Sequence, residues 1–265
     1  MTGQPIGVFD SGVGGLSVAR EIRALLPAED ILYFADTAYC PYGGRPVDEI
    51  RERSLLVVNR LVGEGAKVVV VACNTASAAA LETLRAVIDV PVIGMEPALK
   101  PAVTKSLRGR VGVMATPATL RAERFDRLVE HYGNGAEIFP LPCPGLVEHV
   151  ELGEVDGDGV EETLKELLGP IMRAEVDTVV LGCTHYPFLR AAISRIMGPG
   201  VSIVDSGAAV ARQVQRVLAV NGTVSVSGDG IFRLLTSGNA EAVGKVASRL
   251  WTEPLTAETV DLASV

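Results

Sequence analysis

Val68-Val69-Val70-Val71-Ala72-Cys73-Asn74 is an unbroken apolar run that ends on a thiol and a short polar residue. Thr178-Val179-Val180-Leu181-Gly182-Cys183-Thr184 has the same form, 178 − 68 = 110 residues later. Short apolar runs rich in β-branched residues, without alternation, read as strands buried on both faces, which is the habit of parallel sheets. Two further echoes keep nearly the same spacing. Ile6-Gly7-Val8-Phe9-Asp10-Ser11 returns as Val111-Gly112-Val113-Met114-Ala115-Thr116, and Val92-Ile93-Gly94 returns as Ile203-Val204-Asp205. One run of valines is cheap, but three echoes in order at near-constant offset point to a duplicated unit.

Between these runs the hydrophobic period changes to that of a helix. Leu16, Ala19, Ile22 and Leu26 share one face of a helix over residues 16–26. Helices are expected over 47–62 and over the alanine-rich stretch 77–87. Strand and helix in alternation define an α/β protein. The expected fold is two similar domains, each a mostly parallel sheet flanked by helices. Residues 97–207 form the second domain. The first comprises residues 1–96 with 208–265, whose turn Thr236-Ser237-Gly238-Asn239 and helix 240–250 have no counterpart earlier and are expected to pack back on it.

The chain has 265 residues, with 32 acidic against 24 basic, for a net charge of −8. That charge, with no long basic run, argues against a nucleic-acid partner. A chain of this length buries roughly 70–75% of its unfolded surface and needs no staples. Its longest apolar runs fall far short of the roughly 18–20 residues that span a bilayer, so no membrane partner is expected. Met1-Thr2-Gly3-Gln4-Pro5 lacks the basic start of a signal peptide. The expected setting is cytoplasmic, where thiols stay reduced.

There are four cysteines, Cys40, Cys73, Cys143 and Cys183, and no C-x-x-C, so neither a zinc knuckle nor a redox pair is expected. Cys40 and Cys143 read as small buried apolar residues. Cys73 and Cys183 differ, because each ends a parallel strand, where α/β sheets bind ligands. Each also precedes an expected helix, whose N-terminus favours thiolate. Two thiols reaching one ligand from opposite sides suit racemisation, in which one takes a proton from a carbon and the other returns one to the opposite face. The two must hold different protonation states, so each needs a tuning neighbour, Asp10 for Cys73 and His185 for Cys183.

The strings Phe9-Asp10-Ser11-Gly12-Val13-Gly14-Gly15, Ala35-Asp36-Thr37 with Pro41-Tyr42-Gly43, Ala72-Cys73-Asn74-Thr75-Ala76, Gly182-Cys183-Thr184-His185-Tyr186-Pro187 and Val204-Asp205-Ser206 span most of the chain. In this order the sequence resembles the glutamate racemases of the cofactor-independent aspartate/glutamate racemase family. The resemblance implies two α/β domains with the active site between them. It implies interconversion of L- and D-glutamate, supplying D-glutamate to peptidoglycan. It implies Cys73 and Cys183 as the two bases. Asp10, Ser11, Tyr42, Gly43, Asn74, Thr75, Thr184 and His185 are then substrate contacts. Glu151 is implied as an auxiliary acid, with Glu148 three residues away on the same possible helical face. A homodimer and a small-molecule substrate complete the expectation. A racemase of aspartate or another small amino acid on the same scaffold, or a two-lobed binding protein without chemistry, is the alternative; the latter has no need of paired thiols.

Other patterns are weak. Gly12-Val13-Gly14 resembles a dinucleotide fingerprint, but Ser17 stands where the third glycine belongs. Glu154-Val155-Asp156-Gly157-Asp158-Gly159 resembles a calcium loop, but Lys165 occupies its closing acidic position. No cofactor and no metal are expected.

Overall fold

The computed structural model describes residues 3–262, so Met1-Thr2 and the last three residues of the 208–265 segment lie outside the described residues. The chain opens with β1 (Ile6–Asp10), α1 (Leu16–Leu25), β2 (Ile31–Ala35), α2 (Val47–Gly63), β3 (Val68–Val71), α3 (Asn74–Val87) and β4 (Val92–Ile93). Next come α4 (Leu99–Lys105), β5 (Arg110–Ala115), α5 (Pro117–Leu120), α6 (Glu123–Tyr132) and β6 (Glu137–Pro142). They lead to α7 (Leu146–Glu151), α8 (Asp158–Arg173), β7 (Thr178–Leu181), α9 (Arg190–Met197) and β8 (Ser202–Val204). The chain then runs through α10 (Gly207–Val220), β9 (Phe232–Thr236), α11 (Ala240–Trp251) and β10 (Ala257–Thr259).

Two sheets result. One has the order β10-β9-β2-β1-β3-β4 and the other β6-β5-β7-β8, and every ladder among the described residues is parallel. The inner order β2-β1-β3-β4 repeats as β6-β5-β7-β8, so the echoed runs occupy equivalent strands. The α/β class with parallel sheets flanked by helices is therefore as expected.

The valine run shows why a continuous apolar string becomes a strand here. Val68 and Val70 pack in one core with Leu16, Ala19 and Ile22 of α1 and Val210, Val214 and Leu218 of α10. Val69 and Val71 pack in another with Val57, Val58 and Leu61 of α2 and Leu81 and Leu84 of α3. Both faces are covered, so alternation would put a polar side chain in a core. Each fully buried valine contributes roughly 1.5–3 kcal/mol. A charge at any of the four would have no route to water on either face.

Some elements differ from expectation. The strand β6 was not foreseen, because Glu137-Ile138-Phe139-Pro140-Leu141-Pro142 carries two prolines. It forms because it lies at a sheet edge, where a missing donor is tolerated. The C-terminal segment adds β9 beside β2, with β10 beyond, and α11 packs against α1. No helix among the described residues is long and apolar enough to cross a membrane.

In each sheet the chain leaves the central strand to one side and then crosses to the other. The crevices at such switch points, beyond the carboxyl ends of β1 and β3 and of β5 and β7, are where open α/β sheets hold ligands.

Candidate active site

One narrow cleft is walled by residues from both switch points. Ser11, Tyr42, Gly43, Cys73 and the first residues of α3, Asn74 and Thr75, come from segments that follow strands of the first sheet, and Thr116, Val147 of α7, Cys183, Thr184 and His185 from segments that follow strands of the second. Both cysteines that the repeat singled out are therefore on this cleft. A wider hollow lined by Met95–Pro101 and Asp205–Gln213 residues contains neither thiol.

The two sulfurs have different surroundings. Cys73 caps α3, its Sγ accepting the Ala76 amide at 3.4 Å, and lies 3.7 Å from Ser11 Oγ. A helix N-terminus by itself favours thiolate, as expected for Cys73 from its place in the sequence. Burial outweighs it: desolvation, joined by the charge of Asp10, pushes the Cys73 thiol up to about 12. Cys183 does not begin an α-helix at all. A single 3-10 turn, Tyr186–Leu189, follows it, with Pro187 inside that turn. In place of a helix dipole, Cys183 has His185, whose Nδ1 lies 3.6 Å from Sγ.

His185 is 2% exposed, and its other nitrogen, Nε2, lies 2.6 Å from Glu151 Oε1. Burial pulls its pKa down, but hydrogen bonds to Cys183, Cys40 and Glu151 more than offset this and hold it well above the ordinary value. Glu151 ends α7 and also accepts the Val13 amide at 2.8 Å, while Glu148 is exposed. Of the two acids on that helix, Glu151 is the one that touches the cleft-lining His185.

Asp10 ends β1 with no exposed surface. Its Oδ1 accepts the Ser11 hydroxyl at 2.9 Å and its Oδ2 the Thr184 hydroxyl at 2.7 Å. Burial raises its pKa from 3.8 to about 6, against the pull of His185 and the two hydroxyls. Asp10 thus connects the two halves as well as facing Cys73. Further bonds cross the same seam, among them Val13 to Glu151, Ser17 Oγ to the Thr184 carbonyl at 2.8 Å, and Thr75 Oγ1 with Thr116 Oγ1 at 3.0 Å and Thr119 Oγ1 at 3.2 Å.

Asn74 is 5% exposed, and neither its amide nitrogen nor its oxygen has a partner. Buried polar groups are nearly always satisfied, so an orphaned amide on a cleft wall is suited to a ligand. Tyr42 is buried with its hydroxyl 2.5 Å from Asp36, so the Tyr42-Gly43 pair offers the cleft its backbone and not a phenol. Asp36, in turn, holds Arg53 in a two-pronged pair at 2.7 and 3.1 Å, and Arg53 stacks over Tyr39. That buried network fixes the loop carrying Tyr42 and was not legible beforehand.

The glycine string has its explanation here. A Cβ on Gly12 would lie 2.0 Å from Glu151 Oε1, and one on Gly14 would lie 2.3 Å from His185 Nδ1. These glycines make room for groups of the second half, not for a dinucleotide. Val204-Asp205-Ser206 stands apart from the cleft: Asp205 pairs with Arg190, and Ser206 Oγ donates to the Glu96 carbonyl at 2.5 Å. Cys143 is buried, as expected, with its Sγ 3.3 Å from the Leu141 carbonyl. Cys40, expected to be merely structural, instead stands beside Glu151 and His185. Nothing in the spacing of the cysteines signalled this, because the three meet only in the folded chain.

Residues 6–214 match the family described as Asp/Glu/Hydantoin racemase. A glutamate racemase of Herpetosiphon aurantiacus is 47% identical over 254 residues, 96% of this chain and all of that protein. A glutamate racemase isoform of Bacillus anthracis superposes with a TM-score of 0.90 at 33% identity, covering 99% of both chains. The glutamate racemase of Francisella tularensis, solved with D-glutamate, superposes at 0.85 with 29% identity over the whole of both chains. A match over most of the length, in sequence and in fold, leaves one assignment: the chain belongs to the Asp/Glu/Hydantoin racemase family and is an amino-acid racemase.

Proposed function

We propose that this racemase interconverts L- and D-glutamate without a cofactor, using Cys73 and Cys183 as paired acid and base. The observation that carries the reading is that the two thiols, from equivalent strands of different sheets, wall one cleft. The glutamate racemases to which the chain is similar, one of them holding D-glutamate, support the choice of substrate.

The chemistry follows from the surroundings. Cys73, kept protonated by burial beside Asp10, is the donor in one direction. Cys183, with the protonated imidazole of His185 beside it and Nδ1 at 3.6 Å to hold its thiolate, is the base. The thiolate removes the α-proton from one face, and Cys73 delivers a proton to the other, so the electron pair left on carbon is retaken. In the reverse direction the roles exchange. Removing an α-proton builds negative charge, which the N-terminus of α3 and the free Asn74 amide can oppose. Asp10, Glu151 and His185 position and tune the thiols. Ser11, the Tyr42-Gly43 backbone, Asn74, Thr75 and Thr184 hold the substrate.

In the same reading, residues 1–96 with 208–265 and residues 97–207 act as two domains that close on the substrate. The enzyme works as a cytoplasmic homodimer and supplies D-glutamate for peptidoglycan.

The test is circular dichroism of L-glutamate incubated with the protein in heavy water with no cofactor added. Decay of the signal to zero, with deuterium at the α-carbon of the product, is expected. An unchanged signal, or complete retention of the original hydrogen, overturns the two-base reading.

A further inference from the structure

The Sγ of Cys40, a carboxylate oxygen of Glu151 and a ring nitrogen of His185 all lie within 4.8 Å of one another, the only such group of three found among the described residues. They come from the loop after β2, the end of α7 and the turn after β7. Gly12 keeps the space open, since a Cβ there would lie 2.0 Å from Glu151 Oε1 and 2.9 Å from Cys40 Sγ. The racemisation proposed above uses Glu151 and His185 but leaves the Cys40 thiol without a task.

Thiol, imidazole and carboxylate together are the donor set of a borderline-soft divalent cation, above all Zn2+. Calcium and magnesium want oxygen cages, and only one carboxylate is present. The fit is close. Zinc bonds of about 2.0–2.3 Å place tetrahedral ligand atoms about 3.5 Å apart. The three atoms lie no more than 4.8 Å apart, and the His185–Glu151 pair is at 2.6 Å, so that spacing is within side-chain movements of about 1 Å.

We propose that Cys40, Glu151 and His185 form a zinc-binding site through which Zn2+ reversibly inhibits the enzyme. Binding expels the Cys40 thiol proton and the proton shared by His185 and Glu151 to solvent. The ion takes the place of the 2.6 Å hydrogen bond between them, leaving a fourth position for water. The imidazole is then committed to the metal and is no longer the cation that holds the Cys183 thiolate. This inhibitory half rests on the proposed role of His185; the existence of the site does not.

The reduced protein, in thiol-free buffer, is titrated with Co2+ as a spectroscopic probe and then with Zn2+ as competitor. One Co2+ per chain is expected, with a near-ultraviolet thiolate-to-cobalt band that Zn2+ abolishes. Cys40→Ala and the near-isosteric Cys40→Ser should both lose the band. Each should also raise the Zn2+ concentration for half-inhibition by more than about tenfold. A band that survives in both Cys40 variants but disappears in Cys73→Ala or Cys183→Ala overturns the assignment, as does the absence of any band in the wild type. Stoichiometric binding with undiminished turnover overturns the inhibitory role. Turnover measured without metal is independent of all these outcomes, so failure here is distinct from failure of the racemase reading.

Discussion

The Thr184 hydroxyl donates to Asp10 Oδ2 at 2.7 Å, joining the ends of β7 and β1 across the seam between the two sheets. Thr184 follows Cys183 directly, and Asp10 precedes Ser11, which touches Cys73. One short bond therefore links the surroundings of both thiols. It also buries a carboxyl completely, and the consequences can be measured.

Asp10 makes stability depend on pH with a definite sign. Its folded-state pKa of about 6 lies above the ordinary 3.8, so the folded chain holds this proton after the unfolded chain has lost it. Its contribution to stability falls as pH rises from about 4 to about 6 and stays lost above, by about 3 kcal/mol. Asp10→Asn cannot titrate. Urea denaturation should show the variant gaining about 3 kcal/mol relative to wild type between pH 4 and pH 7. A difference that does not change with pH contradicts the buried carboxyl.

Removing either cleft thiol should stop turnover in both directions, because each direction needs one group to take a proton and another to return it. Cys73→Ala and Cys183→Ala should each lower kcat by a factor on the order of 10²–10⁴ or more, starting from either enantiomer. Activity near wild type in one of them would show that its thiol is a bystander.

Glu151→Gln should lower the pKa of His185. The carboxylate is one of three hydrogen-bond partners that hold the imidazole protonated against burial. A group raised in this way stabilises the fold fully below its ordinary 6.5 and loses that contribution as pH rises through the folded value. The variant should lose this earlier on the pH scale. Imidazole NMR resonances followed against pH report it directly, and an unmoved midpoint would show that Glu151 does not tune His185.

Asn74 carries a prediction in which stability and activity part. Its amide is buried without partners, so Asn74→Ala forfeits no protein–protein hydrogen bond and removes a desolvated polar group, usually a cost of about 1–3 kcal/mol. The melting temperature should stay level or rise, while KM for glutamate rises. An unchanged KM would remove Asn74 from the substrate's contacts.

Much of the fold was legible because it rests on local regularities. The run Val68-Val69-Val70-Val71 needs no context to be read as a strand covered on both faces, and its echo at Thr178 reveals the repeat. The two cleft cysteines followed from the same pattern, since strand ends are where parallel sheets expose side chains to ligands. The strand β6 was hidden by its prolines, which only its edge position permits.

The sequence by itself determined the alternation of strands and helices, the repeated runs and the pair of thiols, because hydrophobic period and strand-end position are properties of neighbouring residues. Only the tertiary structure decided the electrostatics. The helix terminus expected to ionise Cys73 is outweighed by burial, and Cys183 turns out to face an imidazole. Cys40, Glu151 and His185 meet although 145 residues separate the first from the last (185 − 40). Desolvation and charge–charge interaction depend on distance through space, which no local pattern along a chain encodes.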